Sequence, residues 1–281
     1  MHLRRHLAAY AFILAAVYPA HGFACALARG ESAVVSGIAE DGTLTLADGR
    51  AVKLAGIDMP RPDVSKFEVV AGQSVTLHYG GTRIDRYGRA LALVAFGKGP
   101  SLQERLIAEG IARVVPSGDM RLCMDEWLAV EARARAAGRG LWRDPVFAVR
   151  RADDLAGLDP LDGSYQLVEG VIKSVAKIRG RIYFNFDEDW RTDFTVTVAP
   201  AGAKLFKTGA WKALIGNPPA IVGAKVRVRG FLSRYNGPGM TVAVPEQIEL
   251  LDRPMPDEKV KAANENGGPD VRARKPHAAR K

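Results

Sequence analysis

Cysteine is scarce in this chain: of 281 residues only Cys25 and Cys123 carry a thiol. A disulfide-dense scaffold is therefore excluded, and packed cores must hold the chain together. The five histidines (His2, His6, His21, His78, His277) fall in no metal-ligand pattern, so no zinc site is expected. Long hydrophobic runs are lacking too. The one sustained stretch follows Met1-His2-Leu3-Arg4-Arg5-His6, ends at Ala20 and is too short for a comfortable membrane span. With small residues after it, this reads as a signal peptide over residues 1–28. The chain is then exported, periplasmic or secreted, with no membrane span after processing. Gly22-Phe23-Ala24 and Ala26-Leu27-Ala28 both suit cleavage.

Acidic residues are outnumbered, 31 against 40 basic ones, and the formal net charge of +9 favours a polyanionic partner or surface. Part of that excess lies at the two ends. From residue 253 to 281 the chain is rich in Pro, Gly, Asn and charge without apolar periodicity, the composition of a disordered tail. Arg272, Arg274, Lys275, Arg280 and Lys281 make its tip basic. The two thiols of an exported protein can pair, provided processing leaves Cys25 in place. Cleavage after Ala28 would remove it and leave Cys123 alone.

What is present, in the first half, is alternation. Thr43-Leu44-Thr45-Leu46 and Val52-Lys53-Leu54 read as two strands with one buried face, joined at Asp48-Gly49, where positive φ is easy. Residues 75–79 and 90–96 form a second pair. Ser101-Leu102-Gln103-Glu104 is a capping box that opens a helix with Leu102, Leu106 and Ile107 inward, ended at Gly110. Residues 111–115 return as a strand, and residues 125–137 make a longer helix with Trp127, Val130 and Ala134 on one face. Between the second pair of strands stands Asp85-Arg86-Tyr87-Gly88-Arg89, which sets Arg86 and Arg89 beside an aromatic ring at the mouth of a strand. Planar guanidinium forks suit phosphate oxygens.

Three stretches in order, Thr43 to Pro60, Asp85-Arg86-Tyr87-Gly88-Arg89 and Gly138-Arg139-Gly140-Leu141-Trp142, resemble the thermonuclease (staphylococcal nuclease-like) family over residues 33–143. The resemblance implies an oligonucleotide-binding-type (OB) barrel of five strands with helices. It also implies a nuclease chemistry in which calcium, held by two carboxylates and a backbone carbonyl, neutralises the phosphate while two arginines bind it and a glutamate handles the water. Carried over by position, Arg89 matches one arginine, Lys53 stands for the other, Asp58 matches one metal carboxylate and Met59 offers the carbonyl. Lys53 keeps the charge without the bidentate geometry. Two positions depart: Gly42 replaces the second carboxylate, and Arg61 stands where the glutamate would be. Asp41 or Glu40 is the alternative second ligand, from a residue or two earlier. Arg86, Tyr87 and Arg89 remain as a nucleic-acid contact. On this basis Gly42→Asp with Arg61→Glu is expected to raise calcium-dependent activity.

Residues 144–163 read as a linker punctuated by Gly157, Pro160 and Gly163. Residues 164–252 are strand-rich and read as a second OB-like β-barrel. Its aromatics (Tyr183, Phe184, Phe186, Phe194, Tyr235), with Arg179, Arg181, Arg227, Arg229 and Arg234, suit either a stacking-plus-phosphate surface or a core with a solvated basic face. The sequence as a whole thus describes a mainly β, α+β protein of two barrels. It is expected to bind DNA or RNA, with a degraded nuclease site as the first reading, a working calcium nuclease as the second and an envelope interaction module as the third.

Overall fold

The alternating stretches of the first half become strands that bury Leu44, Leu46, Val52, Leu54, Val75 and Leu77. In the computed structural model, residues 25, 27–207, 211–212, 217 and 220–252 are described. Residues 1–24 and 26 of the expected signal peptide and the tail at 253–281 lie outside them. β1 (Ala28–Ile38), β2 (Leu44–Leu46), β3 (Ala51–Leu54), β5 (Ser74–Tyr79) and β6 (Ala90–Ala95) close into a barrel in the order β1-β2-β3-β6-β5. The expected hairpin is there: Asp48 accepts the backbone N–H of Arg50, and Gly49 has φ +85°. Leu44, Leu46, Val52 and Leu54 point inward while Thr45 and Lys53 point out. β4 (Ile57–Asp58) pairs with β7 (Arg113–Val114), a shorter return than the run 111–115 promised.

The first helix obeys its cap. Ser101 accepts the Glu104 N–H at 3.2 Å and opens α1 (Leu102–Ala108), whose Leu102, Leu106 and Ile107 are buried. A two-turn 3-10 helix, Val64–Val70, fills the shortened stretch after Asp58. α2 (Arg121–Ala136) begins four residues earlier than the periodicity indicated, because a 3-10 turn at Gly118–Met120 runs straight into it. Its first turn carries Cys123, bonded to Cys25 across a sequence separation of 98. Trp127, Val130 and Ala134 form its buried stripe, and Glu131 lies buried beside them.

The second half repeats the first. Its strands are β8 (Arg150–Arg151), β9 (Tyr165–Val171), β10 (Ser174–Ile178), β11 (Arg181–Asn185), β12 (Thr195–Val198), β13 (Lys225–Arg234), β14 (Pro238–Val242) and β15 (Ile248–Leu250). The main path runs β10-β11-β12-β14-β13-β9, with β8 on β9 and β15 on β13. Only Ile172 and Lys173 separate β9 from β10, so these two act as one bent strand that pairs β13 on one side and β11 on the other. β1 does the same, pairing β5 through its first part and β2 through its last. Each half carries the matching parallel pair, β3 with β6 and β12 with β14, and β8 also runs parallel to β9. Both halves therefore share the strand order of an OB-type barrel.

A buried ionic seam joins them. Arg229 of β13 and Glu131 of α2 are both 0% accessible, with Nη1 to Oε2 at 2.7 Å. Arg229 also donates to Glu249 at 2.5 Å, and Glu131 accepts the Val114 N–H at 2.8 Å. Burial opposes the charge of Arg229, but the two carboxylates outweigh it and push its pKa up. Beside this pair the Tyr165 hydroxyl donates to the Val114 carbonyl at 2.8 Å.

Candidate nucleic-acid interface

Asp85 builds the arginine loop. Its Oδ1 accepts the N–H groups of Tyr87 and Arg89, and its Oδ2 takes Nε of Arg89 at 2.9 Å. The backbone closes the same turn, Asp85 to Arg89 and Gly88 to Asp85. A carboxylate with so many local donors fixes where the guanidinium points. Burial would raise the Asp85 pKa, and the Arg89 backbone N–H and guanidinium with the Tyr87 N–H outweigh it and lower it.

The guanidinium so held reaches across to the β1–β2 turn. Nη1 of Arg89 lies 3.3 Å from Thr43 Oγ1 and 3.4 Å from Asp41 Oδ2. Asp41 is itself occupied, accepting the Thr43 N–H and hydroxyl at 2.9 Å each, and these bonds lower its pKa. Tyr87 is 67% exposed. The guanidinium carbons of Arg86 and Arg89 sit 4.8 Å and 5.4 Å from its ring centre. Arg83 stacks likewise on Tyr79 at 5.1 Å. Lys53, exposed on β3, pairs with Leu91 in the parallel ladder, two residues beyond Arg89. Arg86, Tyr87, Arg89, Lys53 and Asp41 therefore belong to one end of the barrel.

Residues 51–144 match the family model described as Staphylococcal nuclease homologue. This segment is a staphylococcal nuclease-like domain. No curated protein matches the chain. The nuclease-like domain falls within the residues 33–143 that carry the sequence resemblance, apart from Asp144.

The family is calcium-dependent, and the residues of this nuclease-like domain do not fit that ion. One oxygen of Asp58 is already paired with a cation: Nη2 and Nε of Arg113 lie 2.5 and 3.2 Å from its Oδ2. Gly42, with φ +78°, brings no carboxylate, and a Cβ there would stand 2.7 Å from the Met59 methyl and 3.1 Å from Phe67. The Met59 side chain and the Phe67 ring thus fill with carbon the space that a side chain at residue 42 would enter. Arg61 has swung to Asp144 at 2.6 Å and lies over the Phe147 ring at 5.1 Å. Among the described residues no group of three or more His, Cys, Asp or Glu is placed to hold a metal. Calcium asks for six to eight oxygens, and this arrangement offers a cation instead.

In the second half, Phe184, Phe186 and Phe194 are core, and Arg227, Arg229 and Arg234 are paired with Glu169, Glu131, Glu249 and Asp159. Tyr235, 87% exposed, keeps the open position that a stacking surface needs, and Phe231 and Trp190 join it as exposed rings. Sequence reasoning passed over Arg113. Its signal was a lone charge inside the apolar run Ile111-Ala112-Arg113-Val114-Val115, just as Glu131 sits inside the buried stripe of α2.

Proposed function

We propose that the protein is exported and binds nucleic acid through the arginine loop of its nuclease-like domain, with phosphodiester cleavage weak or lost. The observation that carries this reading is a contrast at one end of the barrel. The phosphate-facing loop is fully built and open, while the carboxylate that should hold calcium is tied to Arg113. Arg89 makes its contacts to Asp85, Asp41 and Thr43 through Nε and Nη1, which leaves the Nη2 edge for a phosphate oxygen. Tyr87, with a guanidinium near its ring, offers a base a stacking partner. Lys53 and Arg86 add charge on the same side.

Export agrees with the Cys25–Cys123 bond. Processing after Ala24 would keep Cys25 in the mature chain.

The test is fluorescence anisotropy of a labelled single-stranded oligonucleotide against a salt series. Three phosphate contacts predict a log–log slope of about −2, or roughly twenty-fold weaker binding between 50 and 200 mM salt. Arg89→Ala should reduce the slope by about 0.7 with little sequence preference. Salt-independent affinity, or no binding at all, would overturn the proposal.

A further inference from the structure

Asp58 stands where the family resemblance puts a metal carboxylate, yet its charge is already met from within the chain. Arg113 donates to it through two nitrogens, and the third, Nη1, donates to the backbone carbonyl of Tyr165 at 2.9 Å. The guanidinium carbon lies 5.3 Å from the Phe147 ring centre and 5.1 Å from that of Tyr165. Arg113 is only 5% exposed. Tyr165 opens β9, so the second sheet itself holds this cation in place, and the Tyr165 ring is wedged by Phe231 at 5.3 Å.

We propose that Arg113 is the resident counter-ion of Asp58, a guanidinium anchored on the second sheet that takes the place of a divalent cation. The inference rests on reading Asp58 as the family's metal position, and it gives the second sheet a role at that position. A calcium ion seeking Asp58 would have to share the carboxylate with a guanidinium already bound to its Oδ2, and the two cations would repel each other. Displacing Arg113 from Asp58 would strand a nearly inaccessible positive charge, a costly exchange. Gly42 and Met59 return nothing to offset that cost.

Thermal unfolding of the full chain, in chelator and in millimolar calcium, tests this. The wild-type midpoint should be the same in both. Asp58→Asn, which keeps the shape and removes the charge, should lower it by about 4–8 °C equally in both. A wild-type midpoint that rises with calcium, with the rise lost in Asp58→Asn, would overturn the proposal. So would an Asp58→Asn midpoint unchanged from wild type. Terbium luminescence on the wild-type protein gives a readout that no variant has to fold for. Saturable sensitised emission, competed by calcium, would contradict the assignment, and its absence supports it. Oligonucleotide affinity is not read in either assay, so failure here leaves the binding proposal standing.

Discussion

Arg229→Met is the perturbation that probes the seam between the two halves most severely. In the wild type Arg229 and Glu131 are inaccessible and 2.7 Å apart, and Glu249 takes the second arm of the same guanidinium. Deleting one member of a buried pair costs about 3–5 kcal/mol, because the other charge is left in a dry site. Glu131 would keep the Val114 N–H at 2.8 Å and Arg135 at 3.2 Å, which places the cost near the lower end, about 3 kcal/mol. For a protein of this size that corresponds to a fall in Tm of about 6–12 °C. The double variant Arg229→Met with Glu131→Leu removes both charges and should recover much of the loss. Denaturant unfolding of the four proteins gives the cycle. An Arg229→Met cost below about 0.5 kcal/mol, or a double variant whose cost is the sum of the singles, would refute a seam built on mutual neutralisation.

Three other expectations follow from the same geometry. Removing the Cys25–Cys123 bond by Cys123→Ala should cost up to about 4.7 kcal/mol, the chain-entropy value for a loop near one hundred residues, read as a lower urea midpoint. Carboxylates with depressed pKa values, Glu249, Asp85 and Asp41, stabilise the fold above their ordinary range and lose that contribution as pH falls through the folded values. Unfolding free energy should therefore decline below the ordinary Glu value of 4.5, and the Glu249 share should be smaller in Arg229→Met, where Arg227 still holds that carboxylate. Gly42→Asp with Arg61→Glu should gain no calcium-dependent cleavage by itself. The aspartate put in place of Gly42 would adopt a strained positive φ under the Met59 methyl. The glutamate put in place of Arg61 would face Asp144, and Arg113 would still hold Asp58. A nuclease assay showing cleavage by that double variant would sink this reasoning.

The first barrel was legible because its signals are local. Leu44, Leu46, Val52 and Leu54 alternate at period two, Asp48-Gly49 is a hairpin turn, and Ser101 with Glu104 caps a helix. What could not be read is what depends on partners far along the chain. The fates of Asp58 and Arg61 were decided by Arg113 and Asp144, 55 and 83 residues away. Arg229 suited either a phosphate-binding surface or a solvated basic face, because its partner, Glu131, lies 98 residues back on a helix. Met59 was counted for its carbonyl, while its side chain proved decisive: it packs against Gly42, and only the fold brings those two positions together. Strand order was partly hidden for the same reason, since β12 meets β14 in parallel across the whole of β13.

The central claim is that the barrel kept its phosphate-binding loop and gave up its metal. Incubating the purified chain with single-stranded DNA, in calcium and in chelator, while following both retention and cleavage of the same strand, tests it most directly. The account predicts salt-sensitive retention in both conditions and no calcium-dependent cleavage. Rapid cleavage in calcium, abolished by chelator and by Asp41→Ala, would contradict it.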